Sequence, residues 1–246
     1  MNKLVWIGVA AVVAVVLLFM WMYSTLLVGH TPPPDRFKQD TATSQTPQSH
    51  PAATVAKPPF DASAYEVNYT LVYTISLRGA TVAVEGWVVV GTGPAGNYSF
   101  GVVTSMLKDT VVFKSATEGN AAYTRTCLHG YCTVNKEKWP SAGLIQGVNV
   151  TRTAKGQCRR LSYTGTLYEE RGIFKRSSHQ SVGNLTGNYT AYVCEVNGVM
   201  LSADLTATAS AYGEPVRITL KIEAVKAGPY SPETYRRVLQ EVKANK

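Results

Sequence analysis

The sequence predicts a mainly β protein: one large curved antiparallel sheet, as a half-barrel or a sandwich, with a few covering helices and one transmembrane helix ahead of it. Three observations predict it. From Tyr65 to Leu77, Tyr65, Val67, Tyr69, Leu71, Tyr73, Ile75 and Leu77 alternate with Glu66, Asn68, Thr70, Val72, Thr74 and Ser76. Such period-two alternation marks a strand with one buried face. Val216, Ile218, Leu220, Ile222 and Ala224 repeat the pattern against Arg217, Thr219, Lys221 and Glu223. Ahead of both, Leu4 to Gly29 is uncharged and mostly aliphatic, longer than the roughly 20 residues a helix needs to cross a bilayer core.

Residues 1–30 read as an uncleaved membrane anchor. Trp6 lies near one end of the run and Trp21 and Tyr23 near the other, where amphipathic rings favour the headgroup level. A secretory signal has an apolar region of about 7–15 residues and a small-x-small cleavage site, and Leu26-Leu27-Val28-Gly29 offers no such site. Residues 31–59 open with Pro32-Pro33-Pro34 and continue in Pro, Thr, Ser, Gln and Ala. That composition buries too little surface to fold, so the segment reads as an extended stalk.

Charge near the span is close to balanced, with Lys3 before it and Arg36 and Lys38 after it. Orientation therefore rests on the body, residues 60–246. It carries five N-x-S/T acceptors, at Asn68, Asn97, Asn149, Asn184 and Asn188, and four cysteines. Glycan acceptors matter only outside the cytoplasm, and an even cysteine count suits a disulfide set. The expectation is a single-pass membrane protein with a cytoplasmic N-terminus and an extracytoplasmic β-rich domain. Exposed side chains are expected at Asn68, Asn97, Asn149 and Asn184, with Asn188 at the start of a strand.

Within the body, further strand-like runs cover 81–90, 98–107, 110–114, 122–127, 131–135, 157–167, 189–197 and 200–209. Asn197-Gly198 between two of them is a strong hairpin signal. The stretch Lys136–Gly147 reads as a loop or brief helix, because Trp139-Pro140 and two glycines interrupt it. Near the end, Ser231 suits an N-cap, Pro232 the first helical position and Glu233 the first turn. Tyr235, Val238, Leu239 and Val242 then share one helical face, so an amphipathic helix should lie on the sheet.

Cys127 and Cys132 flank Leu-His-Gly-Tyr at a hairpin tip and should pair, which leaves Cys158 with Cys194. A metal site at Cys127, His129 and Cys132 lacks a fourth ligand, so no metal is expected. No nucleophile and base assemble: Ser178-His179 is adjacent in sequence, whereas a triad is a spatial arrangement. Glu169 and Glu170 would point to opposite faces of a strand and read as solvated charges. No glycine-rich phosphate loop opens a helix. The chain is expected to be neither an enzyme nor a cofactor protein.

The net charge is +8, and Arg152, Lys155, Arg159, Arg160, Arg171, Lys175 and Arg176 cluster in one region. That region, Arg152–Arg176, offers a patch for an anionic surface partner or a solvated strand face. Stacking tyrosines for single-stranded nucleic acid are few there, Tyr163 and Tyr168, so no specific nucleic acid is expected.

The order of elements resembles the half-barrel domains of Lol-type lipoprotein carriers and related lipid-binding lipoproteins. The resemblance is carried by Tyr65–Leu77, Cys127-Leu-His-Gly-Tyr-Cys132, Gly156-Gln-Cys158, Tyr192-Val-Cys194, Gly198-Val-Met-Leu201 and Val216–Ala224. It implies a curved sheet around a greasy cavity. This chain has a membrane span where that class has a lipidated cysteine.

The function expected is a membrane-anchored extracytoplasmic binding domain for a lipid or other amphipathic ligand. Tyr69, Tyr73, Val84 and Trp87 are candidate lining residues. Val84 and Trp87 point to opposite faces of their strand, so at most one of them faces a common cavity. Two alternatives are a cell-surface or filament structural subunit and an accessory subunit of a membrane complex.

Overall fold

The computed structural model of the chain describes residues 61–77, 80–106, 108–138, 145–176, 185–211 and 214–244. The expected anchor and stalk lie outside the described residues. Within the described residues are β1 (Tyr65–Leu77), β2 (Ala80–Thr92), β3 (Tyr98–Ser105), β4 (Thr110–Glu118), β5 (Ala121–Leu128) and β6 (Tyr131–Lys138). They are followed by β7 (Ile145–Arg160), β8 (Tyr163–Arg176), β9 (Leu185–Val196), β10 (Val199–Ala211), β11 (Glu214–Pro229) and α1 (Pro232–Lys243). One helix, rather than a few, is seen among the described residues. None of their helices is long and apolar enough to cross a membrane.

All eleven strands join one antiparallel sheet in the order β6-β5-β4-β3-β2-β1-β11-β10-β9-β8-β7. The chain runs outward from β1 to one edge and returns from the other edge to β11. Strands lie about 4.8 Å apart, so a flat sheet of this order would be roughly 48 Å wide. Yet Lys138 ends one edge strand and Ile145 begins the other, and those seven steps of chain reach at most about 25 Å. The sheet must roll until its two edges approach each other.

The roll has an inside. On one face, hereafter the core face, Val67, Leu71, Tyr73, Val84, Val103, Leu201, Leu220 and Ile222 are all 2% exposed or less. The cluster they belong to draws on β1 to β4 and β8 to β11. Curvature lets side chains reach over neighbouring strands: the Tyr69 hydroxyl on β1 donates to the Met200 carbonyl on β10 at 2.6 Å, passing β11. Alternation along β1 and β11 built this face, as the sequence pattern predicts.

Two segments depart from the sequence reading. The run 157–167 is broken by a turn at Leu161-Ser162, with Leu161 at φ 54, so it belongs to both β7 and β8. Residues Lys136–Lys138 and Ile145–Gly147 extend β6 and β7 instead of forming a loop. At the Asn197-Gly198 tip both residues take left-handed φ, 52 and 79, and His129-Gly130 does the same at 50 and 83, as tight two-residue hairpins favour.

Both expected disulfides are present. Cys127 and Cys132 are directly opposite on β5 and β6. Cys158 and Cys194 come from β7 and β9, which are separated by β8 in the sheet, yet their Cα atoms are 5.9 Å apart. Gly165 allows this. A Cβ there would sit 2.0 Å from the Glu195 carbonyl oxygen, so the bare glycine lets the β7–β8 tip fold onto β9. Arg160 Nε also donates to Ser202 Oγ on β10 at 3.1 Å from that folded tip.

Candidate ligand cleft beside the C-terminal helix

The opposite face of the sheet, the helix face, receives α1. Ser231 caps the helix by accepting from the Thr234 amide at 3.1 Å, and Pro232 opens it. Tyr235, Val238 and Val242 are buried against Val89, Tyr98 and Ala116. Polar ties fix its position along the sheet. The Tyr235 hydroxyl donates to the Thr117 carbonyl at 2.8 Å. Lys114 Nζ meets Glu241 Oε2 at 2.7 Å, Arg125 donates to the Glu241 carbonyl at 3.1 Å, and Lys243 pairs with Glu118.

The helix leaves a strip of this face open. Strand register sets Trp87 opposite Val102, Val102 opposite Val112 and Val112 opposite Cys127. Four strands thus place an apolar row at one level, about 14 Å long from the usual strand spacing. Trp87 is 44% and Val112 36% exposed. Between this row and α1 lies a cleft of about 270 Å³, lined by Trp87, Phe100, Val102 and Val112 on the sheet side and by Arg237, Val238 and Glu241 on the helix side. The Trp87 and Phe100 rings meet edge-on, with centroids 6.0 Å apart. Arg237 holds its guanidinium carbon 6.0 Å from the Phe100 ring centroid.

Of the four residues expected to line a cavity, only Trp87 lines this cleft. Tyr69, Tyr73 and Val84 lie on the core face, 5%, 1% and 1% exposed. Val84 and Trp87 do take opposite faces. Phe100, Val112 and Arg237 were not singled out by sequence reasoning. Trp87 and Arg237 are 150 positions apart, and only the register and the position of α1 bring them together.

Three cations of the basic region, Arg152, Lys155 and Arg171, are paired with carboxylates on β8 and β9. Arg152 turns to the core face, ion-paired with Glu195 and, at 3.2 Å, with Glu170. Its guanidinium lies 3.8 Å from the Tyr168 ring centroid. Lys155 and Arg171 clamp Glu169 from the other face at 2.9 and 2.7 Å and hold its carboxyl down to about 2, with Lys155 the larger cause. Glu169 and Glu170 do point to opposite faces, but both are enclosed in ion pairs and not solvated. Arg159 and Arg160 stay exposed at the β7–β8 tip, while the side chains of Lys175 and Arg176 lie outside the described ones.

Among the acceptor asparagines, Asn149 and Asn188 are exposed and Asn68 and Asn97 are half-buried, while Asn184 lies outside the described residues. Asn149 sits within β7 at φ 53, where the pairing with β8 slips. Among the described residues no group of three or more His, Cys, Asp or Glu side chains is placed to hold a metal.

No family model and no curated protein matches this chain. Among solved structures it is similar to a DUF1329 family protein from Desulfovibrio piger ATCC 29098, at 7% identity over 70% of this chain and 88% of that one, with a TM-score of 0.31. A likeness of that score carries no argument about shared fold or function. The functional reading rests on this chain's own geometry.

Proposed function

We propose that this chain is a non-catalytic binding domain, tethered outside the cytoplasm by residues 1–30 and taking an amphipathic ligand in the cleft beside α1. One observation carries the reading. An exposed tryptophan and valine on an ordered row of apolar residues meet charged side chains along a single groove. Binding sites are typically concave and apolar with a few polar groups at their rim. The volume is just below the usual range for such sites, which fits one slender apolar chain. The two disulfides support an oxidising, extracytoplasmic setting. Exposed Asn149 and Asn188 are the acceptors best placed for glycans there.

The Lol-type resemblance would put the ligand on the concave side of the sheet. We favour the helix face, because Tyr69, Tyr73 and Val84 are already packed against one another on the core face. Solvent extraction of the purified full chain, followed by mass spectrometry, tests the reading. An amphiphile that co-purifies with the native chain and is lost from Trp87→Asp supports it; no bound amphiphile in either contradicts it.

A second reading, a surface or filament subunit, draws on the sheet edges. Every residue of β6 is exposed and, among the described residues, it pairs only with β5, which leaves an edge on which another strand can add. Lys136 and Lys138 on that edge weigh against strand addition. Sedimentation of the full chain as a monomer would exclude this reading.

A further inference from the structure

The charges around the cleft differ in how they are used, and that difference selects a ligand. Lys114, which lines the cleft, is committed to the Glu241 carboxylate, and Arg125 donates to the Glu241 and Ala244 carbonyls at the end of α1. Arg237 is exposed and, among the described residues, meets no carboxylate within ion-pair distance; its guanidinium lies over the face of Phe100. A guanidinium at the mouth of an apolar groove can fork two hydrogen bonds to a planar anion. Resting on the binding reading above, we infer that the cleft takes a single-chain fatty carboxylate, with its chain along Trp87, Val102 and Val112 and its head on Arg237.

Three features narrow the class. The cleft of about 270 Å³ is below the usual range for ligand pockets, so one chain fills it and the second chain of a phospholipid would find no place there. Within the cleft the row from Trp87 to Val112 spans about 10 Å, two strand spacings, which suits a medium-length chain. The charge balance selects a monoanion. Besides Arg237, the charged side chains lining the groove are Lys114 and Glu241, paired with each other at 2.7 Å, while Glu85 shares the face of Trp87 two residues along β2. With Lys114 and Glu241 cancelling each other, Arg237 is left to neutralise one negative charge, which matches a carboxylate head, whereas a doubly charged phosphate would keep excess negative charge beside Glu85. A cationic head would meet Arg237 directly and be repelled.

The test uses the full chain in lipid nanodiscs with three photoreactive probes, diazirine-bearing decanoate, decyl phosphate and decyltrimethylammonium, and maps labelled peptides by mass spectrometry. Decanoate should label the Phe100–Val112 segment about tenfold more than the ammonium probe and more than the phosphate. Arg237→Glu should reverse the order of carboxylate and ammonium; Arg237→Gln should lower decanoate labelling without raising the ammonium. Arg237 is exposed, so both variants should fold, and unchanged circular dichroism checks that they do. Equal labelling by all three probes, unaltered by Arg237→Glu, would overturn the headgroup assignment and leave the amphiphile reading standing. Stronger labelling by phosphate than by decanoate would overturn the monoanion. Absence of label from the cleft with every probe would overturn both.

Discussion

The Tyr98 hydroxyl on β3 donates to the Glu66 carboxylate on β1 by passing over Gly91 of the strand between them. A Cβ on Gly91 would lie 2.2 Å from the Tyr98 ring, so the glycine is what lets the ring lie flat across β2. Tyr98 in turn packs on Tyr230 and Tyr235, with centroids 5.6 and 6.5 Å away, at the root of α1. Gly91→Ala should therefore cost about 1–3 kcal/mol through overpacking and loosen α1. Tyr98→Phe should cost about 1–3 kcal/mol by leaving the carboxylate short of a donor. Urea denaturation monitored by circular dichroism measures both, and wild-type stability in Gly91→Ala would contradict the packing.

Burial, with Glu170 as a lesser cause, pushes Tyr189 from the ordinary 10.0 up to about 12. Burial and then Tyr235 push Tyr230 to about 12. Tyr98 is raised as well, by burial first and Glu66 next. Each holds its proton to higher pH in the fold than in the unfolded chain. Stability is therefore complete below pH 10 and falls as pH rises toward 12. A melting profile across that window should flatten in the Tyr189→Phe, Tyr230→Phe double variant.

Glu169 behaves in the opposite sense. Its carboxyl is lowered from 4.5 to about 2 by Lys155, Arg171 and Tyr192. The associated stability is present above pH 4.5 and is lost as pH falls toward 2. Glu169→Gln should remove that acid-side slope, and melting curves between pH 5 and 2 would read it. An identical slope in the variant would show that other carboxylates set it.

The two disulfides should differ in weight. In the chain-entropy model, closing the 36-residue separation of Cys158–Cys194 stabilises by about 4 kcal/mol, and closing the short Cys127–Cys132 loop by about 2 kcal/mol. Paired serine variants at each site should unfold in that order in urea. Gly165→Ala should resemble loss of the long-range bridge, because its Cβ would collide with Glu195. Non-reducing peptide mapping of that variant would show free Cys158 and Cys194.

Much of this fold is legible in residue order, and the reasons are local. Tyr65–Leu77 and Val216–Ala224 alternate because each has one face in the roll and one face out of it. The Ser231 cap and the spacing of Tyr235, Val238 and Val242 gave α1 directly. The region around β7 was less legible because β7 is an edge strand, exposed along much of its length, and edge strands need not alternate. Its turn at Leu161-Ser162 carries no glycine, so nothing in the composition divides β7 from β8. The pairing of Arg152 with Glu195 depends on β7, β8 and β9 lying side by side. The cleft was least legible: Trp87 is a single aromatic in a strand, and only register places it in one row with Val102 and Val112, beside Arg237.

The most direct measurement is a crystal structure of the chain purified from the membranes of its own host without lipid exchange. The account predicts elongated density in the cleft along Trp87, Val102 and Val112, ending within hydrogen-bond distance of Arg237. A well-ordered but empty cleft, or ligand density inside the roll against Tyr69, Tyr73 and Val84, would contradict it.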